Sequence, residues 1–582
     1  MSGVRTGAVS GQERIFVDKA FRRFFIPSLL SNVSLALGGM MDCLVVGAKM
    51  GMEGLSAISL GIPVYLFYNL LSYGFSIGGS IHYASLMGAG KPKEANQVFG
   101  SVLRFLIVTY LVTMVLGIIF LPQLLGLLGA SPDYPGVYDM AERYIRTQLL
   151  CIPIMFCQGP FYYFVHGDGA SKRAAVALTV SNTIDIVLNY VFVIRLDLGV
   201  EASVWSTAIG ALFCLFICGK HIIGKQGMLS FTWPPLNPRG LFRCMRTGFA
   251  SAVQHIYSFI TVLSANTLLL SIGGPVGVGV FNVVYSISQL FIAVADGTGM
   301  ALQPMISTYR AERDASAVKR TVQLSLWYGS VLALLVIFGF SFGAEPLCSL
   351  FGLSGASKKI GILALWIYCI SILPSLWNQI AIYYQQTSQR ERSALIIQTL
   401  RLFICFMIFM FALAPLGLNA FWWVFPLSEW STFCYTLISM RKKKGLNQAL
   451  SETAATVRSF STYIQNVELL GDTVEQLQRT CEEWDCTPSQ SYYATLVVEE
   501  VCAAILEDAK NNYRNDVLIK LTLSADQDGF TIHLRDNSYE FNPFSSEDGQ
   551  GPNALGMSIV RKKAKEFFYR RYQGFNTLLI IL

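Results

Sequence analysis

Carboxylates set inside long apolar runs are the residues of this sequence best placed to do chemistry. Asp42 stands in MMDCLVVGAKMG, Asp185 in NTIDIVLNY with Asn189 four residues on, and Asp296 in VADGTGM. A carboxylate in hydrocarbon is costly, and it persists where it binds a proton, a cation or a polar partner. Reversible ion binding of this kind can couple an ion gradient to movement. Asp42, Asp185, Asn189 and Asp296 are therefore the ion-coupling candidates, against the alternative that each carboxylate is only hydrogen-bonded to a neighbouring helix. Positions 185 and 189 share one helical face. Gln158, Asn282, Gln289 and Gln303 are amides at similar depth, readable as interhelical hydrogen bonds or as the lining of a substrate cavity. His166 and His255 read as satisfied polar groups near helix ends, and Tyr65, Tyr68, Tyr257, Phe281 and Trp377 as packing.

The elements that hold these groups are long apolar segments. The chain has 582 residues, 53% hydrophobic and 14% charged, well below the roughly 25% charge of soluble domains. Segments of about 20 residues, enough to cross about 30 Å of hydrocarbon, are expected near 25–47, 57–87, 100–127, 143–166, 174–196 and 199–219. A second set is expected near 247–272, 276–308, 320–345, 361–386, 393–414 and 418–440. The predicted class is an all-α polytopic membrane protein of about twelve helices in two six-helix repeats, followed by an α+β sandwich domain. Residues 1–24 form an N-terminal cytoplasmic segment, 25–220 the first membrane half, 221–246 a cytoplasmic linker, 247–445 the second half and 446–582 a cytoplasmic domain. The net charge of +7 divides into roughly +14 before residue 446 and roughly −7 after it, so physically different units are joined.

Cations near helix ends favour the cytoplasm. Lys91, Lys93, Lys172, Arg173, the stretch Lys220 to Arg246, Arg310 to Arg320, Arg390 and Arg392 fall on alternate loops, and RKKKG follows the last segment. Both termini are thus expected inside, in the cell's inner (plasma) membrane. The first apolar segment lacks the short core and small-residue cleavage site of a secretory signal, and is expected to insert uncleaved.

The halves echo each other at an offset of about 220 residues. YGFSIGGSIHYASLMGAGKPKEA (73–95) lies opposite DGTGMALQPMISTYRAERDASAV (296–318), and YYFVHGDGASKRAAVAL (162–178) opposite YYQQTSQRERSALIIQ (383–398). LDLGVEASVWSTAIG (196–210) lies opposite APLGLNAFWWVFPLS (414–428). Halves of this kind commonly enclose a central cavity and rock against one another.

The 13 cysteines are scattered. Cys481 and Cys486 lack the spacing and the further ligands of a zinc site, so no metal is expected. There is no basic stripe interleaved with aromatics, which argues against a nucleic-acid partner. No GxxxxGK[ST] loop is present, which argues against an ATP-driven pump.

Asp42, Gly54 to Ala57, Pro63, the GAGKPKEA turn, Gly169, Arg173 and the Asp-Leu-Gly-Val run at 197–200 together resemble the multidrug and toxic compound extrusion family, over about residues 15–440. The resemblance implies antiport of an organic, often cationic or amphipathic, compound against proton or sodium. In the fifth helix the family has Asn, three residues, then Asp. Asp185 and Asn189 hold those places in reversed order, which moves the carboxylate about 6 Å along the axis.

Residues 446–582 resemble the histidine-kinase-like ATPase fold, specifically anti-sigma-factor serine kinases. The resemblance implies a nucleotide site built on Glu500, Asp536, Asn542 and Gly556, with ATP as the possible ligand. Ala504 stands where the family has its magnesium-binding Asn, and Ser538 replaces a glycine beside Asp536. Missing an oxygen ligand and a flexible backbone, the site is expected to be degenerate or to serve protein interaction, and kinase or ATPase activity is not expected. The partners expected are a small organic substrate, membrane lipid and a cytoplasmic regulatory protein. The reading from sequence is an efflux antiporter with a regulatory domain. Its alternatives are a membrane sensor whose tail sequesters a signalling protein, and a lipid-linked substrate flippase.

Overall fold

The computed structural model describes residues 11–128, 135–311, 314–350, 353, 355–442, 458–514, 517–526, 529–544, 554–572 and 574–581, some of them, Asp42 and Asn282 included, by backbone alone. Helix α1 (Gly11–Gly88) opens the chain, followed by α2 (Pro92–Ile119), α3 (Leu121–Leu127), α4 (Pro135–Gly167), α5 (Ser171–Asn189) and α6 (Glu201–Ile223). The second half comprises α7 (Pro238–Ala252), α8 (Gln254–Ala311), α9 (Ala315–Leu350), α10 (Gly355–Thr387), α11 (Glu391–Thr399), α12 (Cys405–Leu413), α13 (Leu418–Phe421) and α14 (Val424–Lys442). Among the described residues, ten helices are long and apolar enough to cross a membrane. The expected segments 25–47 and 418–440 are not among the ten, although α1 and α14 are helical there. Side chains such as Leu335, Phe338 and Phe342 point out of the bundle, the last 75% exposed, as a lipid-facing surface requires.

Two expected helix pairs are continuous in backbone bonding, yet they reverse direction. Phe16, near the start of α1, packs on Phe575 with ring centroids 5.2 Å apart. Gly90, just beyond the end of α1, lies against Leu579 of the same strand. Both ends of α1 therefore lie on one side of the bundle, and two limbs run antiparallel between them. In α7–α8, Thr247 meets His82 at 3.1 Å and Thr308 meets the Ala84 carbonyl at 3.5 Å, so that pair folds back as well.

Local backbone features confirm the repeat. A π-helical turn, Tyr190–Arg195, follows α5, and another, Leu400–Ile404, follows α11. Gly199 (φ 88°) and Gly417 (φ 95°) hold left-handed conformations at matching places, where a side chain would be strained. Gly169 (φ 94°) likewise matches Gln389 (φ 56°). The halves close on each other along glycine. A Cβ on Gly78 would sit 1.8 Å from the Cys244 carbonyl oxygen, and one on Gly248 would sit 2.0 Å from that of Gly74. Backbones can touch there only because both residues lack a side chain.

The tail domain carries β1 (Arg458–Ile464), α15 (Val467–Glu483), α16 (Pro488–Asn511), β2 (Ile519–Asp526), β3 (Gly529–Asp536), α17 (Ala554–Lys563), β4 (Glu566–Tyr572) and β5 (Phe575–Ile581). Asn466 caps α15 through the Leu469 N–H at 3.0 Å, and Thr487 with Gln490 forms a capping box on α16. The sheet order is β1-β2-β3-β5-β4, antiparallel throughout. Alternation sorts the faces: Leu521, Leu523, Ile532, Leu534 and Ile580 form a core with α15 and α16. Lys520, Arg535, Arg570 and Leu579 face the other way and are also buried, because the membrane bundle covers that face.

Asp314, between α8 and α9, receives Lys520 Nζ at 2.6 Å, both side chains under 10% exposed. Burial alone would raise the Asp314 carboxyl; the Lys520 charge and hydrogen bonds from Ser316 and the Ala317 N–H reverse this and hold it down to about 2. A depressed carboxylate stabilises the folded state fully above its ordinary 3.8, and that contribution is lost as the pH falls through about 2.

Gly78→Leu is expected to lower the thermal midpoint of the purified protein, by an overpacking cost of about 1–3 kcal/mol or more. Gly339→Ala, where a Cβ meets nothing within 4 Å, is expected to leave the midpoint level or raise it. Equal midpoints for the two variants would refute the backbone contact.

Candidate functional site

Between the halves lies a cavity of about 290 Å³. Asn32, Tyr73, Ile77 and Tyr163 line it from the first half, and Phe281, Tyr285, Gln289, Tyr368 and Phe425 from the second. Phe281, expected as packing, therefore faces the cavity. Along α1, Tyr73 and Ile77 border the cavity, whereas Gly78, His82, Ala84 and Gly88, further toward the tail domain, touch the second half. Asp18 binds Arg320 through both carboxylate oxygens at 2.9 and 2.7 Å, and Arg22 donates to Tyr328 at 3.1 Å, on the same side. The halves are thus sealed together at their tail-side ends, and the cavity begins beyond the seal.

One wall of the cavity is polar. Gln379 on α10 donates to Asp296 Oδ1 at 2.5 Å and Tyr383 donates to the same oxygen at 3.3 Å. Arg401, in the π-helical turn after α11, donates to Gln379 Oε1, to Ser375 Oγ at 2.7 Å and to Glu429 Oε1 at 2.6 Å. Asn378 donates to Glu429 Oε2 at 3.0 Å, and Thr436 to Asn378 at 3.3 Å. A continuous chain of hydrogen bonds therefore runs from α8 through α10 and the π-helical turn to α14. Arg401 is 5% exposed, and a guanidinium so buried needs both a counter-charge and full use of its donors. The π-helical turn swings it inward, a common role for that distortion at functional positions. Opposite charges offset each other between Arg401 and Glu429; Asp296 is the remaining carboxylate of the wall.

The residues singled out from sequence fare differently. Asp296 and Gln289 line the cavity. Asp185 does not: it is 7% exposed and accepts from Ser206 Oγ at 2.7 Å and Thr207 Oγ1 at 3.1 Å, all within the first half. Asn189 is fully buried one turn further on. Gln158 and Gln303 are not among the residues that line the cavity. Gln158 accepts from Ser181 at 3.4 Å, joining α4 to α5, and the buried Gln303 amide nitrogen has no hydrogen-bond partner. His166 is satisfied by Ser28 at 2.8 Å. The surroundings of Asp42, Asn282, His255 and Gly556 lie outside the described residues. Arg401, Glu429 and Gln379 were passed over in the sequence, although a cation in QTLRLFICF and an acid in PLSEWST meet the same rule that singled out Asp296.

In the tail, Asp536 Oδ1 is already occupied. It accepts from the Ser538 N–H at 2.9 Å, from Ser538 Oγ at 2.5 Å and from Asn576 Nδ2 at 2.9 Å. Burial raises its pKa nonetheless. Glu500, on α16, lines a pocket with Leu470, Gly471 and Glu499, its Oε2 without a hydrogen-bond partner among the described residues. Burial, and secondly the Glu499 charge, raise the Glu500 pKa. Asn542 accepts from the Phe544 N–H at 3.1 Å. Among the described residues no cluster of His, Cys, Asp and Glu could hold a metal ion.

Comparison with known proteins places this geometry. The chain is 23% identical over 339 residues to "Probable multidrug resistance protein YoeA" of Bacillus subtilis (strain 168), covering 56% of this chain and 72% of that one. It is 24% identical over 422 residues to "FAD transporter" of Shewanella oneidensis, covering 69% and 88%. With "Multidrug export protein MepA" of Staphylococcus aureus (strain MRSA252) it shares 20% over 425 residues, 72% and 92% of the two chains. The fold matches an outward-facing multidrug resistance MATE family transporter of the MOP superfamily with TM-score 0.70 at 20% identity, over 74% of this chain and 96% of that one. A MOP superfamily transporter from Pyrococcus furiosus matches with TM-score 0.68 at 20% identity, over 76% and 99%. The family model described as MatE matches residues 27–191 and 247–415, one block in each half and together spanning most of the helices that enclose the cavity. The chain therefore belongs to the MatE family.

Proposed function

We propose that the chain is a secondary active exporter of organic cations or amphipathic compounds, driven by inward proton or sodium movement, with a cytoplasmic tail that regulates it. Membership of the family and relatives named for multidrug export support the transport class. The observation that carries the finer reading is the polar wall. The wall carries two carboxylates, Glu429 and Asp296, and among its described residues one cation, Arg401, which binds Glu429, so one negative charge is left in excess beside an aromatic cavity. Aromatic rings and a carboxylate together suit a cation. A flavin dinucleotide carries a diphosphate and would find no uncommitted cation on this wall, so the reading favours cations over that class.

Coupling follows from competition. A proton or sodium ion on Asp296 removes the charge a cationic substrate would use, and it weakens the hydrogen bond from Gln379, which also holds Arg401. The change at one carboxylate is thus passed to α10, the π-helical turn and α14. The seal at the tail-side ends supports assigning this arrangement to the outward-open stage of an alternating cycle. Asp185, hydrogen-bonded within the first half, and Asp42 remain coupling candidates for that half.

The tail is proposed to act through contact rather than turnover. Asp536 is occupied by Ser538 and Asn576, and Ala504 offers no oxygen to magnesium.

In proteoliposomes, Asp296→Asn is expected to abolish gradient-driven efflux of a fluorescent organic cation while the protein still folds. Wild-type flux under neither a proton nor a sodium gradient, for any of several cations, would overturn the exporter reading. Arg401→Met and Glu429→Gln are each expected to lose about 3–5 kcal/mol of stability by stranding a buried charge. The double variant should recover most of that loss, and additive losses in thermal midpoint would show that the pair is not coupled. The purified full chain with ATP and magnesium is expected to release no phosphate above background. Release that disappears in Glu500→Gln would reverse that part of the proposal.

A further inference from the structure

The sheet face turned toward the membrane bundle grips both halves at once. From the first half come Phe24, with its ring 5.9 Å from Tyr572, and Gly90, lying against Leu579. From the second half come Asp314, 2.6 Å from Lys520 Nζ, and Tyr309, whose ring lies 5.0 Å from the Arg535 guanidinium. The held segments are equivalent. Gly90 ends the GAGKPKEA turn after the second limb of α1, and Tyr309 and Asp314 flank the matching turn after the second limb of α8. One rigid antiparallel sheet therefore spans the pair of turns that the repeat places symmetrically about the cavity axis.

We propose that the tail domain is a clasp that holds the transporter sealed at its tail-side end. Opening that end requires the sheet to let go of at least one half, and the Lys520–Asp314 pair is the point of release. The inference rests on the reading of the two halves as moving against each other. Any motion that separates the Gly90 turn from the Asp314 turn stretches the sheet's contacts, and a five-stranded hydrogen-bonded sheet does not yield internally before its side-chain contacts do. Of those contacts, the aromatic ones to α1 continue the apolar core of the bundle, since Tyr572 and Phe575 belong to it. Among the described residues, the contact to the second half includes the Lys520–Asp314 ion pair and the Arg535–Tyr309 cation–aromatic contact, both built on charge. Charge pairs of that kind can be broken by a competing ion or partner, which makes the second half the side that is released.

The test uses the full chain in nanodiscs, with spin labels on Lys93→Cys and Lys319→Cys, both exposed and one on each half, and the exposed Cys434 replaced by Ser. Asp314→Asn and Lys520→Met are each expected to raise the population at the longer label distance by about threefold or more. The exchanged pair Asp314→Lys with Lys520→Asp should return it toward wild type, which separates release of the clasp from misfolding. An unchanged distance distribution in both single variants, or an exchanged pair that behaves like the singles, would overturn the clasp. Flux absent from every form while the distances respond would sink the exporter reading and leave the clasp standing.

Discussion

A guanidinium at membrane depth must be neutralised and hydrogen-bonded on every side, and satisfying Arg401 organises the second half. Glu429 supplies the charge, Gln379 and Ser375 take further donors, and Asn378 holds Glu429 in place. Those residues lie on α10, α14 and the turn between α11 and α12, so helices distant in sequence are fixed to one point. Arg401 itself sits in a π-helical turn. Asp296 is attached at the end of this chain through Gln379, and its ionisation state is therefore felt by elements it does not touch.

The first half solves its problem differently. Asp185 is held by two hydroxyls of α6, Ser206 and Thr207. The halves share their backbone plan, down to the π-helical turns and the positive-φ pair Gly199 and Gly417, while their polar chemistry has diverged. One backbone plan thus carries unlike polar sites in its two lobes.

Much of this was legible in the sequence. Ten of the twelve expected apolar runs are found among the described residues, and the repeat at an offset of about 220 residues reappears in the matching π-helical turns. Asp296 was legible because an acid in hydrocarbon stands out. Arg401 and Glu429 stood out equally, but their pairing lies across 28 residues and two helices, and no spacing rule reports it. Gln158 and Gln303 show the converse: an amide at the right depth carries no sign of which way it points. The strand β1, RSFSTYI, mixes hydroxyls with aromatics and gains its place by pairing with β2. Glu566 and Phe567 follow a Lys-rich run, yet they join β4 because β5 offers a partner.

The contact of Phe16 with Phe575 joins nearly the first described residue to nearly the last. During synthesis α1 is made long before the strands that cover its start, so Phe16, whose ring contacts are Tyr463 and Phe575, waits without them while the helices between are made. Contacts of such long range close last and slowly. Formation of β5 is thus recorded at the start of α1, and a nascent chain that lacks β5 leaves an aromatic side chain of α1 without its cover.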